Sequence, residues 1–278
     1  MQGAGGSGQR PFLGRGEKRP DLIPVERDGI PVHIFTYAKP AGIGILYPVR
    51  VWPNGRSFHP TAAEDSDVAV TSADFWDRIA PKYSRQPIAD PESYARKLAA
   101  TQGLMQPDMA VLELGCGTGS TALEHAPHVA QIVATDVSAA MIDIARGKAA
   151  QAGIENVSFQ QAGVEDFEAP DGSFDMVLAL NLLHLLPDRA AAMSRIHRLL
   201  KPGGFFVSST VCLADRMWFL RPLIPVLQWV GKAPYVSFVG SGTVLQEAAS
   251  AGFEDLEHWT HGRANSLFLI ARKPASAG

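Results

Sequence analysis

The run Val111-Leu112-Glu113-Leu114-Gly115-Cys116-Gly117-Thr118-Gly119-Ser120 constrains this chain more than any other stretch. Its apolar start reads as a short buried strand. The strand stops in a glycine-rich turn, and a helix opens over Thr118 to Ala126. Each glycine has a physical reason. The turn must be tight, the backbone must approach a ligand with no Cβ in the way, and the next helix must start close to the strand.

Neighbouring residues say which ligand. A dinucleotide fingerprint asks for Gly or Ala at the sixth position of G-x-G-x-x-G, and here that position is Ser120. Glu113, two residues before the first glycine, sits badly beside a pyrophosphate and suits a ligand carrying an ammonium and a sulfonium. Asp136 closes the next apolar run, Gln131-Ile132-Val133-Ala134-Thr135, and lies 21 positions after Gly115. An acid about 20 residues on is where ribose hydroxyls are held. The plainer reading of Asp136 is an N-cap for the helix beginning near Ser138. Together, the turn and its two acids point to S-adenosylmethionine.

In these residues the chain resembles the class I S-adenosylmethionine-dependent methyltransferases, most of all the branch that includes ubiquinone and menaquinone methyltransferases. The likeness continues in Asp136-Val137-Ser138-x-x-Met141-Ile142 and in Asp171-Gly172-Ser173-Phe174-Asp175-x-Val177. It closes with Asn181-Leu182-Leu183-His184 and Leu200-Lys201-Pro202-Gly203-Gly204, and with flanking elements spans Asp74 to Pro274. It implies an α/β, Rossmann-like seven-stranded sheet, mostly parallel, with a C-terminal antiparallel β-hairpin and helices on both faces.

The resemblance also implies a cofactor site. Gly115, Cys116, Gly117 and Gly119 would form the turn, Thr118 would meet the methionine carboxylate, and Glu113 would lie near its ammonium. Asp136 would hold the ribose, while Val137 and Met141 would pack on the adenine. Asn181 and Tyr83 would reach the methionine end. Gly163 stands where this branch usually has an Asp accepting from the adenine amino group, so Glu165 or a backbone carbonyl would take that role, with the Val164 N–H toward the ring. His184 is the candidate general base, because an ordinary imidazole titrates near neutral pH; its plainer reading is a histidine capping the turn before Pro187. No metal is implied.

The expected reaction is methyl transfer to O, C or N of an apolar small molecule: quinone-, polyketide- or lipid-like. Methyltransferases acting on RNA or protein, and a non-catalytic cofactor-binding scaffold, are the alternatives. A net charge of −3 argues against a nucleic-acid partner, which needs a basic footprint. Asn181-Leu182-Leu183-His184 also lacks the Asn/Asp-Pro-Pro-aromatic run of enzymes that methylate planar amino groups. Two cysteines make no disulfide framework and no zinc spacing, which fits a reducing cytoplasm.

Along the chain, strands are expected near 109–114, 131–135, 155–160, 174–180 and 204–211 with helices between, then two strands joined around His261-Gly262-Arg263-Ala264. Such alternation implies a parallel sheet covered on both faces. Asp74 to Tyr83 reads as a short helix ended by Pro81, and Asp90-Pro91 as the N-cap and first position of another. Residues 1–73 carry 18 Gly and Pro. They read as a largely disordered extension with room for one hairpin: a translated upstream segment with the native start near Val68, a leader, or a loose arm. The apolar stretch inside 212–238, interrupted by Pro222 and Pro225, is expected to insert as a lid over the acceptor; a buried packing element and a membrane-interface helix are its alternatives.

Overall fold

The computed structural model describes residues 72–217, 219, 224, 233–254, 257–262 and 265–275, together with the backbone of 22–27, 30–35, 47–49, 67–71 and 255–256. The chain divides into two compact units, Met1–Thr61 and Ala62–Gly278, a boundary earlier than the 73/74 expected.

In the first unit, β1 (Leu22–Arg27), β2 (Ile30–Phe35) and β3 (Tyr47–Val49) pair antiparallel in the order β1-β2-β3. These three paired strands lie within the segment expected to be largely disordered with room for one hairpin. The rest of the expected 1–73 extension before Asp67 lies outside the described residues, as does most of the expected lid.

The second unit opens with α1 (Asp67–Tyr83), which runs through Pro81 instead of ending there. Pro81 falls in the last turn, where the lost N–H donor costs a single hydrogen bond. Asp90 caps α2 (Pro91–Gln102) by accepting the Ser93 N–H at 3.0 Å, with Pro91 at the first helical position.

From there strand and helix alternate: β4 (Ala110–Leu114), α3 (Ser120–His125), β5 (Gln131–Asp136), α4 (Ala139–Ala152), β6 (Val157–Gln161), β7 (Phe174–Leu180), α5 (Arg189–Leu199) and β8 (Leu200–Val211). A short α6 (Leu213–Arg216), α7 (Ser241–Ser250), β9 (Glu254–His261) and β10 (Ser266–Arg272) complete the unit. α3 is shorter than expected, ending at His125 in one 3-10 turn over Ala126–His128.

The sheet order is β6-β5-β4-β7-β8-β10-β9. The first five strands are parallel, and β10 inserts antiparallel between β8 and its hairpin partner β9. This is the expected seven-stranded Rossmann-like sheet with its terminal hairpin. All five residues of β4 are buried, as a central strand with helices on both faces requires. On one face Val111, Ile132, Met176 and Phe268 pack with Ala122 of α3 and Ala145 of α4. On the other, Phe206 stacks on Phe253 with ring centroids 5.0 Å apart.

The strand order reverses between β4 and β7. In an open parallel sheet the crevice at the carboxyl ends of the strands, beside such a reversal, is where ligands bind.

Candidate cofactor site

The three turn glycines do different work. All have positive φ, at 66°, 53° and 75° for Gly115, Gly117 and Gly119. A Cβ on Gly115 would lie 2.8 Å from Leu182 Cδ1, and one on Gly119 would lie 2.7 Å from the Ala145 Cβ and 2.8 Å from Phe159 Cε1. These two glycines let the turn pack against the protein. A Cβ on Gly117 would meet only Tyr83 Cε1, at 4.0 Å. Gly117 therefore leaves an open cradle that a side chain would fill.

Asp136 anchors that cradle. Its Oδ2 accepts the Gly117 N–H at 2.8 Å and its Oδ1 the Ser138 N–H at 2.9 Å. The N-cap of α4 is Ser138, whose hydroxyl accepts the Met141 N–H, so Asp136 is not a capping residue. Burial pushes its carboxyl pKa up, while the two backbone donors pull it down.

Beneath the turn, Glu113 is buried and its Oε2 has no partner. Desolvation first, then the charge of Asp136, pushes its pKa up to about 8. A buried carboxylate oxygen without a partner is costly unless a cation meets it. Cys116 is buried within the turn and its thiol pKa is pushed up by desolvation.

The Tyr83 ring lies over Gly117, edge-on to Trp76 at 6.3 Å. Desolvation and then Asp136 raise its phenol pKa. Asn181, just past β7, adopts φ 57°, a conformation uncommon outside glycine. Its N–H donates to the Ser209 carbonyl at 2.8 Å and its Oδ1 accepts from the Ser209 hydroxyl at 3.2 Å. Val137 is partly buried, Val164 is buried and Glu165 is exposed.

Three of the expected residues are enclosed by the protein. Thr118 is buried, and its hydroxyl accepts from Lys148 Nζ at 2.8 Å, turned toward α4. Met141 is only 2 % exposed, at the start of α4. His184 is buried in a 3-10 turn, where desolvation pushes its pKa down to about 4; its Nδ1 accepts the Val211 N–H at 3.5 Å. Burial thus favours the neutral imidazole.

Two residues join the site that sequence reasoning missed. Asp77 of α1 accepts from the Ser138 hydroxyl at 2.6 Å and from the Ala140 N–H at 3.0 Å. It thereby fixes α1, which carries Tyr83, to the start of α4. Lys148 also donates to the Ser120 hydroxyl at 2.9 Å, binding α4 to the outer side of the turn. No local pattern announces either contact, since Asp77 and Ser138 are 61 residues apart. Among the described residues no group of three His, Cys, Asp or Glu could hold a metal ion, and no helix is long and apolar enough to cross a membrane.

The sheet order and its crevice define a Rossmann-like α/β fold. Residues 111–204 match the family model described as a methyltransferase domain. The chain is 36% identical over 97 residues to the uncharacterized methyltransferase YcgJ of Bacillus subtilis, covering 35% of this chain and 38% of that protein. It is 33% identical over 116 residues to the ubiquinone/menaquinone biosynthesis C-methyltransferase UbiE of Coxiella burnetii, covering 40% and 46% of the two. The crystal structure of YcgJ superposes with a TM-score of 0.56 at 18% identity, over 66% of this chain and 100% of that one. The [4+2]-cyclase SpnF superposes at 0.55 with 21% identity, over 65% and 81%.

Residues 111–204 thus carry a methyltransferase domain, and the solved structures share its fold. It spans less than half the length of the curated relatives it matches.

The residues present fit the family's cofactor. The unpartnered Glu113 Oε2 suits a cationic amino-acid end, and the Gly117 cradle suits close approach by a ligand.

Proposed function

We propose that this protein transfers a methyl group from S-adenosylmethionine to O, C or N of an apolar small molecule, quinone-, polyketide- or lipid-like. The observation that carries the cofactor half is the unpartnered, buried Glu113 oxygen beneath the open Gly117 cradle. Relatives named for ubiquinone and menaquinone biosynthesis support the acceptor half.

The cofactor, when bound, supplies a methyl on a sulfonium, already activated toward in-line displacement. The protein's own contribution is positioning, which can supply on the order of 7–11 kcal/mol. Gly115, Cys116, Gly117 and Gly119 shape the turn, Asp136 takes the ribose hydroxyls, and Glu113 offers its carboxylate to the ammonium. Asn181 and Tyr83 line the methionine end, with Val137 against the base and the Val164 N–H toward the ring. Asp77 holds α1, and so Tyr83, over the turn. The His184 carbonyl accepts the Ser237 N–H at 2.8 Å and so braces the segment after β7.

Incubation of the full chain with methyl-labelled cofactor and cell extracts, followed by partition between organic and aqueous phases, tests the reading. Label entering the organic phase supports it. Label in RNA or protein moves the acceptor to a macromolecule. Cofactor binding without turnover on any extract supports a role without methyl transfer, on a fold that also serves a protein named as a cyclase.

A further inference from the structure

The first half of α2 and the end of β9 meet at the carboxyl edge of the sheet. β10 runs antiparallel to both β8 and β9, so β9 runs with the parallel strands and ends, at His261, on their carboxyl edge. The Arg96 guanidinium sits 4.3 Å from the centroid of the Trp259 ring, which puts α2 on the face that Trp259 and His261 share. α2 runs alongside α3 and away from that edge. The Tyr94 hydroxyl lies 3.4 Å from Thr121 Oγ1 near the start of α3, and Gln102 Nε2 donates to the Glu124 carbonyl near its end. Residues 94–97 therefore stand where β9 finishes.

Three nitrogens there lack an acceptor. Lys97 is partly buried, and its ammonium makes no hydrogen bond or ion pair with a described residue. Desolvation pushes its pKa down, against the pull of Asp90. Trp259 Nε1 and His261 Nδ1 are enclosed and unpartnered. Lysine and tryptophan can only donate, and an imidazole nitrogen donates in one tautomer or when protonated. Burial first, then Lys97, holds the His261 pKa down, with Asp90 opposing and Arg96 adding to the effect, so these groups feel one another. The Asp90 carboxylate caps α2 through the Ser93 N–H. A partly buried ammonium with no counter-ion, beside two unpartnered nitrogens, calls for an anion from outside the protein.

The strand register connects this cluster to the methionine end of the crevice. Ser209, whose hydroxyl donates to Asn181 Oδ1, stands opposite Phe268, and Phe268 stands opposite Trp259. One step outward the row is Val211, Ser266 and His261. Leu180, Val211 and Ser266 are only partly buried, so the strip between Asn181 and His261 keeps some exposed, mostly apolar surface. β9 lies two strands from β8 and three from β7, or about 10–14 Å. We infer that Lys97 and His261 hold a carboxylate at the far end of the methyl acceptor, which makes the acceptor an elongated apolar acid. This deepens the acceptor reading above and rests on it. The apolar strip takes the body of such a molecule, and the two nitrogens take its charge.

Calorimetric titration of the full chain, saturated with S-adenosylhomocysteine, with 4′-hydroxybiphenyl-4-carboxylate and with its methyl ester tests this. The wild type should bind the acid at least about tenfold more tightly than the ester, the worth of one hydrogen bond to a charged group. Lys97→Met, which keeps the apolar stem, should bring the ratio near one by weakening the acid alone. Lys97→Arg should keep the preference, and His261→Phe should narrow it. Lys201→Met removes the same charge from a lysine paired with Asp175 and should leave the ratio intact. A wild-type ratio near one, a preference surviving Lys97→Met, or binding of neither compound would overturn the inference and leave the earlier readings in place. Those readings fail separately, if S-adenosylhomocysteine does not bind or if methyl label enters RNA or protein.

Discussion

The Gly117 N–H and the Asp136 carboxylate are joined by a 2.8 Å hydrogen bond that ties the glycine turn to the end of the next strand. One side chain thus shapes the cradle and, in the proposed function, holds the ribose with its remaining lone pairs. Asp136→Ala should lower S-adenosylhomocysteine affinity by about a hundredfold or more and cost roughly 1–3 kcal/mol of stability, because two backbone donors lose their acceptor. Calorimetry and urea unfolding measure the two effects separately. Asp136→Asn keeps an acceptor and should lose less stability than affinity.

Glu113 makes the site responsive to pH. An unfolded Glu113 ionises near 4.5, whereas the folded protein holds its proton up to about 8. The stability gained from the neutral form is complete below pH 4.5 and is lost as pH rises to about 8, by on the order of a few kcal/mol. Glu113→Gln should flatten that decline in a series of melts. A cationic ligand favours the ionised form, so wild-type binding near pH 7 should release protons. Titrations in buffers of different ionisation enthalpy detect that release, and Glu113→Gln should abolish it.

His184 behaves in the opposite sense. Its folded pKa, about 4, lies below the ordinary imidazole value of 6.5. Its stability contribution is present above pH 6.5 and is lost as pH falls toward 4, by up to about 3 kcal/mol. His184→Gln should reduce acid lability in that window, while the pH profile of turnover between 6 and 9 keeps its shape. An inflection near 6.5 that disappears in His184→Gln would restore the imidazole as a base.

The glycines of the turn should separate folding from binding. Gly119→Ala drives a Cβ into Ala145 and Phe159 at a φ of 75° and should cost about 2–4 kcal/mol in unfolding experiments. Gly117→Ala meets no close protein atom and should cost about 1 kcal/mol of backbone strain. Its Cβ fills the cradle, so its loss of S-adenosylhomocysteine binding should exceed that of a variant of equal stability elsewhere.

What the sequence made legible was local or rhythmic. The turn glycines, Asp136 at its spacing, the Asp90-Pro91 cap and the strand–helix alternation all appear as short patterns, and the structure bears out the elements they define. The burial of Met141 was legible too: Met141, Ile142, Ala145 and Ala149 form the apolar stripe that α4 turns to the sheet. The contacts of Asp77 with Ser138 and of Lys148 with Thr118 were out of reach, because they join surfaces that meet only when the chain folds.

The central claim is that the crevice at the ends of β4 and β5 binds an S-adenosyl amino acid. Calorimetric titration of the full chain with S-adenosylhomocysteine, with NAD as control, tests it most directly. The account predicts micromolar binding of the first and none of the second. No heat with S-adenosylhomocysteine, or tighter binding of the dinucleotide, would contradict it.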